Sequence, residues 1–134
     1  MPKKVKVFAP ATVANVSCGF DILGFPIYNV GDTLEIALTQ GEEIVISEIT
    51  GASKLSKDPE KNVCGVIAKA MLDKARKKTG VDIKLHKGIM PGSGMGSSAA
   101  SSAATAFAMN ELLNKPFTDT ELVQFSMLGE ELAS

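Results

Sequence analysis

Several short stretches of the chain alternate between polar and apolar residues, which is the pattern of strands with one buried and one solvated face. The stretch Lys-Lys-Val-Lys-Val-Phe-Ala near the amino terminus shows this pattern clearly. Other stretches are rich in Ile, Leu, Val and Thr, residues that are enriched in strands. The pattern predicts five strands, at 3–9, 20–28, 33–39, 43–50 and 81–86.

Turn-forming residues separate these predicted strands. Pro10 is expected to end the first strand, because proline has no N–H to donate to a neighbouring strand. Gly31-Asp32 is expected to form a turn between the second and third strands. The polar turn at 40–42 predicts that the strands on either side of it pair as a hairpin.

Three helices are predicted from capping residues and from helical spacing of apolar residues. Asn62 is expected to cap a helix that runs to about Thr79, with Gly80 as its carboxyl-terminal stop. A second helix is predicted from about 96 to 113, and the capping box 118–121 opens a third. Strands first and then helices mixed with a strand predict an α+β fold, a two-layer sandwich with helices on one face of a mixed sheet.

Composition narrows the classes of protein that fit this pattern. The chain has 134 residues, 45% of them hydrophobic, and a net charge of −1, which fits one globular domain. The near-neutral charge disfavours nucleic acid and anionic membranes as partners. No apolar run approaches the ~20 residues of a membrane span, so no membrane segment is expected. Its two cysteines make no disulfide framework, and free buried thiols in a reducing cytoplasm are expected.

Residues 91–104 carry the candidate chemistry. Three glycines alternate from Gly92 to Gly96, and such residues let the main chain approach a ligand closely. Ser97 and Ser98 then open a predicted helix whose first amide hydrogens lack internal partners. The amino terminus of a helix attracts anions, phosphate above all. The segment therefore predicts a phosphate-binding loop for a nucleotide.

This loop differs from the common phosphate and nucleophile motifs. No lysine follows a glycine in the G-x-x-x-x-G-K-[ST] arrangement, and Ser97 stands where a dinucleotide fingerprint has its third glycine. A plain glycine–serine linker is the alternative, although linkers seldom run directly into a helix. His86, the single histidine, is expected to be an ordinary residue at a strand end, and Lys87 is expected to be solvated.

Two motifs resemble a known family. Pro-Gly-Ser-Gly-Met-Gly-Ser-Ser-Ala-Ala at 91–100 resembles the second motif of the GHMP kinases (galacto-, homoserine, mevalonate and phosphomevalonate kinases), with Met95 in place of the usual leucine. Ala-Pro-Ala-Thr-Val-Ala-Asn-Val-Ser-Cys-Gly-Phe-Asp-Ile-Leu-Gly at 9–24 resembles the amino-terminal motif of the homoserine kinases. Both motifs stand in the expected order, and the resemblance covers essentially the whole chain.

The resemblance implies a ribosomal protein S5 domain 2-like fold, with 1–134 as the amino-terminal ATP-binding domain of a protein whose carboxyl-terminal domain is missing. It implies that ATP is bound by Pro91, Gly92, Ser93, Gly94, Met95, Gly96, Ser97, Ser98, Ala99, Ala100 and Ser101. Mg²⁺ would take the Ser98 hydroxyl and the Glu130 carboxylate, with Glu131 as the alternative to Glu130. Asn15 and Asp21 would bind the acceptor, because a carboxylate suits the ammonium of a small amino acid.

The activity implied by the resemblance is ATP-dependent phosphorylation of the side-chain hydroxyl of L-homoserine, with no general base identified. Another GHMP kinase acting on mevalonate or a sugar, and a non-catalytic nucleotide-binding module, are the alternatives. An S5-like RNA-binding domain is disfavoured by the near-neutral charge. The chain alone is expected to have little kinase activity, and a homodimer is one option for its assembly.

Overall fold

A mixed β-sheet and three helices make up the computed structural model, which describes residues 4–12, 26–51, 55–88 and 97–133. Within these residues the elements follow in the order β1 (Lys4–Thr12), β2 (Pro26–Thr39), β3 (Ile44–Thr50), α1 (Val63–Ala75), β4 (Gly80–His86), α2 (Ser97–Leu112) and α3 (Asp119–Ala133). The predicted α+β class is confirmed.

The strands lie in the order β1-β2-β4-β3. Both β1 and β4 pair antiparallel with β2, whereas β3 and β4 pair parallel, so the sheet is mixed as predicted. The predicted hairpin between 33–39 and 43–50 is wrong, because β4 lies between these strands. The connection at 40–43 passes over the first residue of β4, Gly80, where a Cβ atom would collide with the Thr39 side chain. Gly80 therefore starts a strand and is not a helix stop.

Two predicted breaks in the strands are also wrong. β1 continues through Pro10 to Thr12, with its register against β2 shifting between Pro10 and Ala11. Among the described strands, β1 lies at the end of the sheet, and edge strands and register shifts are where a sheet tolerates a residue without an N–H. Gly31-Asp32 lies inside β2, which runs unbroken from Pro26 to Thr39, because both residues pair with β1.

The predicted helix starts are confirmed. Asn62 caps α1 by accepting a hydrogen bond from the Cys64 amide at 2.9 Å. The helix ends at Ala75, before the predicted Thr79, because Arg76 takes the left-handed conformation with φ 57°. The capping box holds the start of α3, where the amide of Thr118 donates to the Glu121 carboxylate at 2.9 Å.

The core lies between one face of the sheet and the helices. Leu34 and Ile36 of β2 and Ile83 of β4 are fully buried, whereas Lys84 and His86 on the other face of β4 are exposed. α2 packs against β1, β2, α1 and α3, which makes it the central helix. Its small residues allow this close packing on several sides. Among the described residues, no helix has the length and apolarity needed to cross a membrane.

Candidate functional site

The glycine-rich segment connects the end of β4 to the start of α2, as the sequence predicts. Residues 91–96 lie outside the described residues, as do Asn15 and Asp21. The structure describes the two positions that bound the segment, which are Lys87-Gly88 on one side and the first turn of α2 on the other. The roles of 91–96, Asn15 and Asp21 in binding stay predictions.

The amino terminus of α2 suits an anion. The helix has 16 residues and begins at Ser97, and its first turn contains no acidic residue. Its first four amide hydrogens have no partner inside the helix, and the helix dipole adds a partial positive charge there. No carboxylate of that turn competes with a bound phosphate.

A buried polar cluster lies directly beside this connection. The Lys87 ammonium is 2.6 Å from Asp32 Oδ2, and both side chains are almost completely buried, with 3% and 0% of their surfaces exposed. Lys87 Nζ also donates to Ser101 Oγ at 2.8 Å, and that hydroxyl donates to Asp32 Oδ2 at 2.8 Å. We name these residues the Asp32–Lys87–Ser101 cluster. It joins β2, the end of β4 and the second turn of α2.

The prediction that Lys87 is solvated is therefore wrong. The physical reason is the strand register: Thr33 pairs with His86, so Asp32 lies next to Lys87 at the same end of the sheet. The sequence pattern predicted a turn at Asp32 and gave no sign of this buried contact. A buried charge needs a partner, yet no local pattern connects residues so distant in the chain.

The main chain around Lys87 is held closely as well. The Lys87 amide donates to the Thr50 carbonyl at 2.8 Å, and the Gly88 amide donates to Asp32 Oδ1 at 3.0 Å. A Cβ atom on Gly88 would collide with the carbonyl oxygen of Gly31. Glycine is needed here because the two strands approach too closely for a side chain.

Cys64, at the start of α1, is buried near the cluster. Burial raises the pKa of its thiol from the ordinary value of 9.0 to about 11, although a hydrogen bond with the Thr105 side chain and the nearby Lys87 charge oppose this shift. The thiol is thus protonated at neutral pH and is a poor nucleophile. The free, buried thiol that the sequence predicts is confirmed at this position.

His86 fits its predicted role as an ordinary residue at a strand end. It is exposed, and its ring shares a hydrogen bond with the Thr50 hydroxyl. Among the described side chains, no group of three His, Cys, Asp or Glu residues is arranged to hold a metal ion.

The residues expected to bind Mg²⁺ lie on two helices that pack against each other. Ser98 is in the first turn of α2 and Glu130 is near the end of α3, while their side chains lie outside the described ones. Residues 113–118 form the short connection between α2 and α3. Helices joined by a short connection typically pack antiparallel, which predicts that both residues lie toward the end of the helix pair opposite the connection. A hydroxyl and a carboxylate also fit the oxygen ligands that Mg²⁺ prefers.

Comparison with known proteins gives matches to one family model and to several homoserine kinases. Residues 62–134 match the family model of the GHMP kinases N terminal domain. Homoserine kinase from Methanococcus maripaludis strain C5 is 42% identical over 132 residues, which are 98% of this chain and 44% of that protein. Homoserine kinase from Chlorobium phaeovibrioides is 45% identical over 144 residues, again 98% of this chain and 44% of that protein.

Among solved structures, the chain is similar to a homoserine kinase and to a mevalonate kinase. The crystal structure of homoserine kinase from Cytophaga hutchinsonii matches 99% of this chain with a TM-score of 0.89 and 45% identity, covering 42% of that protein. The Methanococcus jannaschii mevalonate kinase matches 98% of this chain and 46% of its own, with a TM-score of 0.69 and 20% identity. The latter likeness concerns the fold alone. The chain therefore spans less than half the length of the relatives it matches.

Proposed function

This chain belongs to the GHMP kinases, and from that premise we propose that it is the ATP-binding part of a kinase that phosphorylates the side-chain hydroxyl of L-homoserine. The observation that carries the choice of acceptor is the difference in identity among relatives, since the homoserine kinases are far more similar to this chain than the mevalonate kinase is. The product would be O-phospho-L-homoserine, and the reaction would be a step towards threonine.

ATP would bind through its phosphates at the amino terminus of α2 and along Pro91–Ser101. The absence of acidic residues from the first turn of that helix supports this. Phosphoryl transfer depends chiefly on positioning the phosphates and neutralising their charge. The ammonium of Lys87 is bound to Asp32 and Ser101, so main-chain amides would be the principal donors to the phosphates.

Mg²⁺ would be held by Ser98 and Glu130, with Glu131 as the alternative carboxylate. A bound Mg²⁺ neutralises charge on the phosphates and orients them. Asp21 would pair with the ammonium of the amino acid, and Asn15 would bind its polar groups. No general base is named, because alignment of the acceptor hydroxyl with the phosphate supplies much of such a rate enhancement.

The proposal also covers the compartment, the assembly and the activity of the chain by itself. A protonated, buried Cys64 thiol suits the reducing cytoplasm. Assembly as a homodimer stays a prediction. The chain alone is proposed to bind ATP without substantial turnover, because it spans less than half the length of the homoserine kinases it resembles.

The test is a phosphotransfer assay on the complete gene product that contains this chain. We expect ATP consumption with L-homoserine and none with mevalonate. Ser98→Ala should lower kcat by about a hundredfold, because several kcal/mol of metal-mediated stabilisation is lost, while the urea midpoint stays unchanged.

Ser126→Ala is the matched control, since the Ser126 hydroxyl donates only to the nearby Val123 carbonyl at 2.7 Å among the contacts described. Its kcat should equal that of the wild type. Turnover of mevalonate in preference to L-homoserine would refute the proposed acceptor. Full activity of Ser98→Ala would remove Ser98 from the metal site.

A further inference from the structure

Three polar side chains of the Asp32–Lys87–Ser101 cluster are buried at the point where the glycine-rich segment leaves the sheet. We propose that this cluster fixes the start of α2 against the end of β4, so that Asp32 and Lys87, together with the Ser101 hydroxyl, act as positioning residues for the phosphates of the nucleotide. The inference rests on the proposed function, since it concerns how the same site is held in shape.

The cluster connects the two sides of the segment directly. Lys87 precedes the segment and Ser101 follows it, and Lys87 Nζ donates to Ser101 Oγ at 2.8 Å. Asp32 Oδ2 accepts from both groups, at 2.6 Å and 2.8 Å. Residues 89–100 therefore begin and end at positions fixed by hydrogen bonds to one carboxylate.

Main-chain contacts hold the β4 side of the cluster still. The Lys87 amide donates to the Thr50 carbonyl and the Gly88 amide donates to Asp32 Oδ1. Gly51, at φ 83°, lies so close that a Cβ atom there would collide with the Lys87 carbonyl oxygen. The end of β4 is thus a rigid base, and the side chains of Lys87 and Asp32 transmit its position to α2.

The chemistry of the cluster favours a positioning role over a purely stabilising one. A buried ion pair is often no more stabilising than apolar residues of similar size. Hydrogen bonds have narrow distance and angle requirements, whereas apolar contacts permit a helix to slide. A helix whose terminal amides must meet phosphates gains from this fixed placement.

The test compares two adjacent serines in α2. Ser101→Ala removes the hydrogen bonds of the Ser101 hydroxyl with Lys87 and Asp32 but keeps the ion pair between those two residues. Ser102→Ala is the matched control, because the Ser102 hydroxyl is buried and makes no hydrogen bond within the described part of the chain. We expect Ser101→Ala to weaken the Kd for Mg-ATP about tenfold, because two hydrogen bonds to charged groups that place α2 are lost, and Ser102→Ala to leave the Kd unchanged. Ser101→Thr, which keeps the hydroxyl, should recover most of the loss.

A double-mutant cycle separates positioning from direct contact of Ser101 with ATP. Asp32→Asn should weaken ATP binding as well, and Asp32→Asn combined with Ser101→Ala should bind no more weakly than the worse single variant, because both break one cluster. Additive losses, or no loss in Ser101→Ala, would overturn the inference. Urea unfolding of each variant checks that the Kd is measured on folded protein.

Amide hydrogen exchange provides a readout that needs no nucleotide. Exchange at residues 101–105 should be faster in Ser101→Ala than in the wild type, and unchanged in Ser102→Ala. Equal exchange in the two variants would overturn the inference by itself. A wild-type chain that exchanges as expected but binds no Mg-ATP would refute the proposed function instead, so the two failures are distinguishable.

Discussion

Lys87 and Asp32 form an ion pair whose two side chains are almost completely removed from water. Removal of one partner from such a pair leaves an unpaired buried charge, which costs about 3 to 5 kcal/mol, whereas removal of both is often nearly neutral. The Ser101 hydroxyl, at 2.8 Å from Lys87 Nζ, adds a hydrogen bond that an ion pair alone would not have. The residues are therefore interdependent, and a change in one alters the electrostatic environment of the others.

Cys64 makes the stability of the protein depend on pH above 9. Burial raises the pKa of its thiol from 9.0 to about 11. Between these values the unfolded thiol loses its proton while the folded one keeps it, so the unfolded state binds fewer protons and stability falls as pH rises. Two pKa units correspond to a loss of about 3 kcal/mol in the free energy of unfolding.

Urea unfolding of the wild type and of Cys64→Ala at several pH values between 8 and 11 checks this prediction. Every other residue is the same in both proteins, so the difference between the two curves isolates Cys64. The free energy of unfolding of the wild type should fall by about 2 kcal/mol relative to that of Cys64→Ala over this range, because the folded thiol is itself half deprotonated at pH 11. A difference that is constant with pH would contradict the raised pKa.

At the scale of the element, the two capped helices differ in how deeply their caps are buried. Asn62 is buried, accepts from the Cys64 amide and donates through Nδ2 to the Ser56 carbonyl at 2.9 Å. Thr118 is exposed, and its hydroxyl accepts from the Glu121 amide at 3.2 Å. Asn62 thus holds both the helix and the preceding loop, whereas Thr118 holds only its own helix.

Thr118→Ala should lower the free energy of unfolding by about 1 kcal/mol, the usual effect of a lost cap. Asn62→Ala should lower it by about 2 kcal/mol, because the partly buried Ser56 carbonyl also loses its donor. Urea denaturation measures both, with Thr120→Ala, an exposed position in α3, as the control for altered helix propensity. Equal losses at Asn62 and Thr118 would show that the loop contact contributes nothing.

At the scale of the whole molecule, the candidate site depends on β2, the end of β4 and α2 meeting at one end of the sheet. Gly88 follows β4, and its missing side chain lets the chain pass against the Gly31 carbonyl of β2. Asp32 of the same strand accepts the Gly88 amide. The geometry at the base of the glycine-rich segment is thus set by contacts between residues far apart in the chain.

Gly88→Ala should therefore separate the ends of β2 and β4, lowering the free energy of unfolding by about 2 kcal/mol, as overpacking does, and weakening Mg-ATP binding. Gly41→Ala is the matched control, because the nearest atom to a Cβ there is the Glu43 nitrogen at 3.9 Å. Urea unfolding and ATP titration of both variants provide the test. If Gly88→Ala behaves like Gly41→Ala in both measurements, the close approach has no role.

Local patterns in the sequence determined which parts of this chain form helices and strands. Asn62 and the capping box at 118–121 marked helix starts, and alternation marked 81–86 as a strand. These features depend on residues that are adjacent along the chain, because a cap or a helical turn forms from local contacts. The glycine-rich motif is also a run of adjacent residues, so it and the resemblance to the family can be recognised from the sequence alone.

Only the tertiary structure decided which strands became neighbours and which polar groups met. The hairpin expected at 40–42 gave way to β4, whose apolar residues Val81, Ile83 and Leu85 are buried in the middle of the sheet. That insertion brought Asp32 beside Lys87 and made a residue expected in water part of the interior. Pairing between distant segments is chosen by burial of the whole core, a property that no short stretch of sequence contains.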